Sequence, residues 1–183
     1  MQIAELRGSR VLLRGWQPGD AEPFAALNAD PVAMEYFPAP LSRADSDAMI
    51  RRAQAGLEER GWGWWCLEIE ATCAGFVGLS MPSFEAHFTP CVEVGWRMAT
   101  RFWGQGYATE AARLAVDFGF RRAGLSEIVS FTTVTNWRSR RVMERLGMNR
   151  KPADDFDHPR IAPGHPLRAH VLYRLPAAGF AVA

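Results

Sequence analysis

The clearest pattern in the chain is an alternation of apolar and polar residues that leads directly into a helical repeat. Residues 92–97 alternate with the period of two that is typical of a strand. After a glycine turn, apolar residues recur at helical spacing on one stripe, which comprises Tyr107, Ala111, Leu114, Ala115 and Phe118. The opposite face carries charges of both signs. The pattern predicts a strand, a turn and an amphipathic helix across residues 92–120.

The same two periods predict the other elements. Strands are expected at residues 10–16, 64–69, 75–79, 127–134 and 167–175. Helices are expected at residues 18–28, from a Ser42 cap to residue 59 or 60, and between Asn136 and a Gly147 cap. Residues 81–90 and 154–166 are expected to be loops. Because strands outnumber helices and a helix connects two strands, we predict an α/β (α+β) fold with a mixed sheet, as a single domain over residues 1–183.

The glycine turn is a candidate anion-binding site. Gly104 and Gly106 have no side chains, so an anionic group could approach the backbone, and the first amides of the helix lack internal partners. No Gly-Lys-Ser/Thr sequence follows, which argues against a P-loop, and Thr109 stands where a dinucleotide-binding motif requires a third glycine. The alternative is a turn that serves only tight packing.

Composition and charge restrict the class of function. The formal net charge of +1 argues against a general affinity for nucleic acid. Cys66, Cys73 and Cys91 are odd in number and lack metal-ligand spacing, which favours reduced thiols over a disulfide framework. No apolar stretch approaches the length of a membrane span, and no leader pattern begins the chain. These features predict a cytoplasmic protein without membrane association.

Three motifs resemble those of the GNAT superfamily of acetyl-CoA-dependent N-acetyltransferases. The turn Arg101-x-x-Gly104-x-Gly106 resembles that family's Gln/Arg-x-x-Gly-x-Gly/Ala motif. The second motif is VEVGW at residues 92–96, followed by WGQGYATEA at residues 103–111; the third begins Asn136-x-x-Ser139 and ends with LGM at residues 146–148. The similarity extends from Val11 to Leu175 and resembles the RimJ/RimL-like branch, which includes enzymes that acetylate the N-termini of ribosomal proteins.

The resemblance implies a specific architecture and reaction. It implies a central, mostly antiparallel sheet flanked by helices, with the fourth and fifth strands splayed apart. It also implies acetyl-CoA as cosubstrate and direct, sequential transfer to a primary amine, either a protein N-terminal α-amine or a small molecule. A monomer or homodimer is expected, and no metal, because the histidine spacings match no zinc pattern. A non-catalytic acyl-CoA-binding module is the alternative, since Met143 replaces the tyrosine that many family members have there.

Catalytic roles also follow from the resemblance. Glu93 is expected to be the general base, with a purely structural carboxylate as the alternative. Ser139 is expected to donate a hydrogen bond to the thiolate leaving group, or else only to cap its own helix. Asn136 is expected to bind pantetheine or to serve as an N-cap. Cys91 could carry an acyl group, but the sequence assigns it no His/Asp partner.

Further cofactor contacts follow if pantetheine lies beside the central strand, as the resemblance implies. The backbones of Trp96, Arg97 and Met98 are expected to pair with pantetheine. Amides of the turn are expected to hold the pyrophosphate, and these belong to Arg101, Phe102, Trp103, Gly104, Gln105, Gly106, Tyr107 and Ala108. One or two arginines of the last helix could meet the 3′-phosphate, from a set of Arg138, Arg140, Arg141 and Arg145 that is otherwise expected to form a solvated face. Candidate acceptor contacts are Phe37, Trp64, Glu85, His158 and His165; the alternatives are core packing for the two aromatic residues and support of the C-terminal loop for the two histidines.

Overall fold

The computed structural model describes residues 3–180. Four helices are present in this part of the chain: α1 (Ala21–Ala29), α2 (Arg43–Arg60), α3 (Tyr107–Arg121) and α4 (Trp137–Arg145). The nine strands are β1 (Leu6–Arg7), β2 (Leu12–Arg14), β3 (Trp64–Ile69), β4 (Thr72–Ser80), β5 (Glu93–Met98), β6 (Glu127–Thr133), β7 (Asn149–Arg150), β8 (Phe156–Asp157) and β9 (Ala169–Pro176). None of the described helices is long and apolar enough to span a membrane.

All nine strands belong to one sheet, in the order β1-β2-β3-β4-β5-β6-β9-β7, with β8 paired to β9. Every pairing is antiparallel except that of β5 with β6. The predicted mixed, mostly antiparallel sheet flanked by helices is therefore confirmed. The pair expected as strands four and five is β5 and β6, because the short β1 precedes the first predicted strand. The predicted loop at residues 154–166 contains the short β8.

Local signals in the sequence account for the element boundaries. The Ser42 side chain accepts a hydrogen bond from the Asp45 backbone N–H at the start of α2. Gly61 ends the same helix with a φ of 77°. Glu70 and Ala71 connect β3 to β4 with φ values of 52° and 56°, which is the geometry of a tight hairpin turn. The turn at Glu70 and Ala71 therefore sets the pairing of β3 with β4.

Side chains alternate between the two faces of the sheet and pack against different helices. On one face the Trp65 ring packs against Phe118 of α3, with centroids 5.4 Å apart. On the other face the Phe76 ring packs against Phe24 of α1, with centroids 6.3 Å apart. Arg97 lies opposite Phe76 in the β4–β5 register, so it shares the face covered by α1 and α2. The burial of both faces provides one continuous apolar core.

The sheet opens between β5 and β6. Their register contains one residue pair, Glu93 with Val129. The Val129 N–H donates to the Val92 carbonyl at 2.9 Å, and the Ser130 hydroxyl donates to the Val94 carbonyl at 2.9 Å. Beyond this point the two strands are not paired within the described chain. The predicted splay is thus present, and it leaves one edge of β5 free inside the molecule.

Candidate active site

A cleft of about 1110 Å³ occupies the opening between β5 and β6. Many residues singled out in the sequence line it, and these are Phe37, Trp64, Glu93, Trp96, Arg97, Met98, Trp103, Gly104, Gly106, Ala108, Asn136, Ser139 and His158. They come from both halves of the split sheet and from the helices and loops beside it. The fold therefore brings together residues that are more than 100 positions apart in the chain.

The glycine turn forms one end of the cleft. Gly104 and Gly106 have φ values of +78° and +85°, which the other residue types rarely adopt. Gly106 is the N-cap of α3 and supplies no side chain to the helix. The amides of Gly104, Gln105 and Gly106 have no hydrogen-bond acceptor within residues 3–180. The end of the cleft therefore presents unpaired N–H groups at a helix N-terminus, which is favourable for an anion.

The anion cradle is narrower than predicted. The Phe102 and Trp103 amides donate to the carbonyls of Ala99 and Thr100, each at 3.0 Å, so they are not available to a pyrophosphate. The contacts predicted for Arg101, Gln105, Tyr107 and Ala108 are also made by backbone amides and stay predictions, although the side chains of Arg101, Phe102, Gln105 and Tyr107 do not line the cleft.

Sequence reasoning missed Thr109 as a polar group of the cradle. Its hydroxyl oxygen is buried without a hydrogen-bond partner in the described chain, and the residue lines the cleft. The only sequence signal was its position in the first turn of the helix, where it had served to exclude a dinucleotide motif. A buried hydroxyl without a partner is unfavourable, so a bound phosphate oxygen there would satisfy it.

The free edge of β5 runs along the cleft. Alternate residues of a strand direct their backbone groups to opposite edges, and the Val92 and Val94 carbonyls already face β6. By this alternation the backbone of Trp96 also faces the cleft. The Arg97 carbonyl lies instead against Gly75 of β4, so the predicted backbone contact from Arg97 to pantetheine is wrong. The Met98 carbonyl accepts a hydrogen bond from the Trp103 indole at 2.7 Å, which leaves its N–H as the free group.

Glu93 stands where the two strands separate. The residue is half-buried and lines the cleft, and the burial of its carboxylate raises its pKa to about 8, with the Ser80 side chain opposing the shift. No arginine or lysine is among the causes of the shift. A carboxyl group with such a pKa can exchange a proton with an amine near neutral pH, which matches the requirement for a general base.

Asn136 and Ser139 form a small network at the start of α4. The Asn136 side-chain oxygen accepts from the Ser139 N–H at 3.2 Å, so Asn136 is an N-cap. Its amide nitrogen donates to the hydroxyls of Thr132 at 2.9 Å and Ser139 at 3.1 Å. Both amide hydrogens of Asn136 are therefore used. Because the Ser139 oxygen accepts a hydrogen bond, its own hydrogen is free to be donated into the cleft.

Aromatic and imidazole rings form the wall on the β6, β8 and β9 side. The His158 and His170 rings lie 5.0 Å apart, and both residues line the cleft with Phe131. Burial and the neighbouring His170 and Arg160 lower the pKa of His158 to about 4. Burial also lowers the pKa of His170. Both imidazoles are consequently neutral at pH 7, so the positive charge on this side of the cleft comes from Arg160, which also lines it.

Several other predicted positions lie away from the cleft. Glu85 and His165 are exposed on loops and do not line it, so their predicted acceptor contacts are not supported. Arg140 is buried rather than solvated, because its guanidinium packs on the Trp137 ring and donates to the Val134 carbonyl. Arg138, Arg141 and Arg145 do line the cleft.

The cysteines offer neither an obvious nucleophile nor a free metal site. Burial and the charge of Glu93 raise the pKa of Cys91 to about 11, which disfavours the thiolate. Ligand atoms of Asp20, Cys66 and Cys73 lie within 4.8 Å of one another under the sheet. Both Asp20 oxygens, however, are already bound by Arg14, at 2.7 and 2.9 Å. The Asp20 carboxylate thus has a cation in place.

Comparison with known proteins agrees with this geometry. The family model described as an acetyltransferase (GNAT) domain matches residues 10–149. The chain belongs to the GNAT acetyltransferase family. This membership makes the domain an acetyl-CoA-dependent acyltransferase.

Individual GNAT relatives are distant. FsC-acetyl coenzyme A-N(2)-transacetylase of Aspergillus fumigatus is 38% identical over 86 residues, which are 47% of this chain and 33% of that protein. The aligned part thus spans about a third of that longer relative. The Bacillus subtilis protein YkkB is 29% identical over 143 residues, which cover 76% of this chain and 82% of YkkB.

Solved structures share the GNAT fold across nearly the whole chain. A GNAT-family acetyltransferase from Bacillus anthracis superposes with a TM-score of 0.79 at 22% identity, covering 96% of this chain and 99% of the other. RimL, a ribosomal L7/L12 alpha-N-protein acetyltransferase solved with coenzyme A, gives a TM-score of 0.75 at 14% identity, covering 94% and 98%. At these identities the likeness concerns the fold.

Proposed function

We propose that this GNAT acetyltransferase moves the acetyl group of acetyl-CoA to a primary amine by direct attack within the cleft. One observation carries the proposal: the split between β5 and β6 joins an uncapped glycine turn, at one end, to a desolvated carboxylate, Glu93, at the other. The first feature suits a diphosphate and the second suits a base, as a reaction between a CoA thioester and an amine requires.

The residues of the cleft fit the cosubstrate. The amides of Gly104, Gln105 and Gly106 and the Thr109 hydroxyl would hold the pyrophosphate. The free edge of β5 at Trp96 and Met98 would pair with the pantetheine amides. The guanidinium groups of Arg138, Arg141 and Arg145 on the same cleft would meet remaining phosphate charge. Bound acetyl-CoA supplies an activated acyl group as a thioester.

The chemistry then needs two groups from the chain. The amine nitrogen forms a bond to the acetyl carbon and loses a proton to the Glu93 carboxylate, directly or through water. As the carbon–sulfur bond breaks, the Ser139 hydroxyl donates a hydrogen bond to the developing thiolate. Asn136 acts through Ser139, because its amide fixes the orientation of that hydroxyl. The side-chain amide of Asn136 already uses both hydrogens and one lone pair of its oxygen. The predicted contact between Asn136 and pantetheine would therefore use the second lone pair of that side-chain oxygen.

The branch and the acceptor are part of the proposal. The 0.75 TM-score with RimL supports a RimJ/RimL-like fold variant, although the 14% identity carries no information on substrate. The name of the Aspergillus fumigatus relative refers to N(2) acetylation, which is compatible with a primary amine on a small molecule. We therefore propose that the acceptor is a primary amine, either of a small molecule or at a protein N-terminus.

A panel assay tests the proposed function. Purified protein and acetyl-CoA are incubated with peptides and small primary amines, thiol release is followed, and products are identified by mass spectrometry. We expect acceptor-dependent thiol release with a mass increase of one acetyl group on at least one amine class. Binding of CoA by calorimetry, with no acceptor-stimulated release across the panel, would instead favour a non-catalytic module.

A further inference from the structure

One buried arginine in the cleft has no anionic partner. Arg97 is 9% exposed and lines the cleft from the face of the sheet covered by α1 and α2. Its Nη1 donates to the Asn28 side-chain oxygen at 2.6 Å, and its Nε has no hydrogen-bond acceptor in the described chain. Burial lowers its pKa to about 10, and no carboxylate contributes to that shift. Arg97 therefore carries a charge at neutral pH that the described chain leaves without a counter-ion.

The other two buried arginines are connected to carboxylates, Arg14 directly and Arg140 through the Tyr173 hydroxyl. Arg14 is paired with the carboxylates of Asp20 and Glu68, at 2.7 and 2.6 Å. Arg140 donates to a backbone carbonyl and to the Tyr173 hydroxyl, which in turn donates to Glu144. A buried charge without a partner is unfavourable, and the usual remedy is an anion with good geometry. For Arg97 that anion would have to come from a molecule bound in the cleft.

The cosubstrate is not well placed to supply this anion. The Arg97 side chain packs against Asn28 and against Met49 of α2, while the glycine turn that suits the pyrophosphate follows β5 at the N-terminus of α3. Glu93 shares the Arg97 face of the strand and is four residues away, about 13 Å between Cα atoms. The arginine therefore borders the space in which an amine would approach Glu93.

The surroundings of Arg97 are apolar and aromatic. The Phe37 ring lies 4.0 Å from the guanidinium carbon, and the Phe76 ring lies 5.6 Å from it. The Trp64 ring packs against Phe76, with centroids 4.9 Å apart and the planes inclined at 33°, and its indole N–H is buried without an acceptor in the described chain. The wall thus combines two donors that lack acceptors with aromatic surface. Protein atoms cover both of these donors, so a carboxylate in the cleft, whose oxygens are acceptors only, would meet the guanidinium through Nη2, which makes no hydrogen bond within residues 3–180.

We propose that the acceptor amine carries a carboxylate and that Arg97 binds it, with the apolar part of the acceptor packed on Phe37 and Trp64. The inference rests on the proposed acetyl transfer and narrows its substrate class. Arg97 is a specificity-determining residue in this scheme, while Glu93 keeps the role of base. A small amino acid, or an acidic side chain next to a protein N-terminus, could supply the carboxylate.

Matched acid and amide acceptors test the proposal. The pairs are leucine with leucinamide, 6-aminohexanoate with 6-aminohexanamide, and two amide-capped pentapeptides that differ only by Asp or Asn at the second position. We expect the wild type to show a kcat/KM for the acid that is roughly 10- to 100-fold higher than for the amide in at least one pair, as a charge-assisted hydrogen bond implies. The pair that shows this preference distinguishes a small amino acid from a protein acceptor.

Substitution of Arg97 connects the preference to the residue. In Arg97→Gln the acid-to-amide ratio should fall to about one, and Arg97→Lys should retain part of it because the charge remains. Arg52→Gln, an exposed position on α2, removes the same charge and should leave the ratio unchanged. An unchanged ratio in Arg97→Gln, or no wild-type preference for any acid, would overturn the proposal and leave acetyl transfer intact.

Calorimetry separates the remaining outcomes. Weaker CoA binding by Arg97→Gln with an unchanged ratio would mean that the cosubstrate supplies the anion, which also overturns the proposal. If no amine is acetylated, the proposed function fails, and direct binding of leucine and leucinamide to the CoA complex still decides the role of Arg97. If leucine binds more tightly than leucinamide and Arg97→Gln abolishes the difference, the proposed role of Arg97 is supported. If leucine and leucinamide bind equally well to the wild type, the proposal is contradicted.

Discussion

A residue's environment, rather than its type, determines what it can do in this cleft. Glu93 and Glu85 are the same amino acid, but Glu93 is half-buried where two strands part and Glu85 is exposed on a loop. Burial of the carboxylate disfavours the ionised form, which places the pKa of Glu93 at about 8. The resemblance to the family predicts Glu93 as the base, but the extent of its burial depends on packing between distant segments.

The first prediction at this scale concerns the pH dependence of catalysis. As base, Glu93 must be ionised, so kcat/KM should rise with pH through a pKa of about 8. Glu93→Gln should lose this acidic limb, and kcat should fall on the order of 100-fold. The pH dependence of kcat/KM is measured with two acceptors whose amines have different pKa values. A limb that belongs to the enzyme stays at the same pH for both acceptors, whereas a limb that belongs to the amine shifts. A limb that persists in Glu93→Gln would exclude Glu93 as the base.

The second prediction concerns the leaving group. Ser139→Ala removes the hydroxyl but keeps the backbone N–H that Asn136 accepts, so the cap of α4 is retained. We expect kcat to fall roughly 10- to 100-fold with little change in CoA affinity or melting temperature. Single-turnover rates and calorimetry check this. A variant that melts earlier while its kcat is unchanged would show that the hydroxyl serves only the helix terminus.

At the scale of elements, periodicity predicted strands and helices where one segment supplies the signal. The strand at residues 64–69 and the start of the central helix agree with the structure because alternation, caps and glycines are local features. The two-residue strands β1, β7 and β8 could not be predicted, since they exist only through pairing with β2 and β9. The paired amides of Phe102 and Trp103 likewise result from a 3₁₀ turn that no residue pattern announced.

The orientation of β5 shows the same limit within the site. Its alternation predicted which side chains share a face, but not which edge is free, because that depends on β4 occupying the other edge. The sequence predicts a backbone contact between Arg97 and the cofactor, whereas in the structure the Arg97 carbonyl faces β4 and the residue lines the cleft. Its missing counter-ion becomes visible only once the neighbouring residues from α1 and α2 are in place.

The third prediction tests the glycine turn as an element. Gly106→Ala would force a residue with a Cβ into a φ of +85°, at a cost of about 1 kcal/mol or more. The amides of the turn should be displaced, and the Kd for CoA should rise roughly 10-fold. Gly124→Ala is a matched control, because its φ is +69° with open space around it at the far end of α3. Equal CoA affinity in both variants, measured by calorimetry, would argue against the cradle.

For the molecule as a whole, the active-site cleft is the place where the sheet is incomplete. Strands β1–β5 with α1–α3 form one part, and β6–β9 with α4 form the other. The contacts that connect the two parts include the single residue pair between β5 and β6 and the hydrogen bond from the Ser130 hydroxyl to β5. Arg113 also donates to the Arg145 carbonyl. A sheet with a free interior edge sacrifices ladder hydrogen bonds, and a bound cosubstrate would replace them. Catalytic geometry and global stability are therefore coupled through this opening.

The fourth prediction concerns stability as a function of pH. The pKa of Glu93 is about 8 in the folded protein against an ordinary 4.5, so the folded state keeps a proton that the unfolded chain releases. The stabilisation that this bound proton gives the folded state is fully present below pH 4.5 and is lost as the pH rises through about 8. His158 acts in the opposite sense, because its pKa falls from 6.5 to about 4 and the unfolded chain takes up the proton in acid. The stabilisation of the folded state by the neutral His158 ring is lost as the pH falls from 6.5 to about 4.

Glu93→Gln isolates the first effect. Relative to the wild type, the free energy of unfolding of this variant should increase between pH 5 and pH 8 by a few kcal/mol, because a neutral amide carries no desolvated charge. Urea unfolding at pH 5, 6.5 and 8, without CoA, measures the difference. Glu85→Gln removes the same formal charge from an exposed loop and should show a constant difference from the wild type. If the two variants behave alike across this range, Glu93 is not desolvated in solution, and the raised pKa that makes it a suitable base is absent.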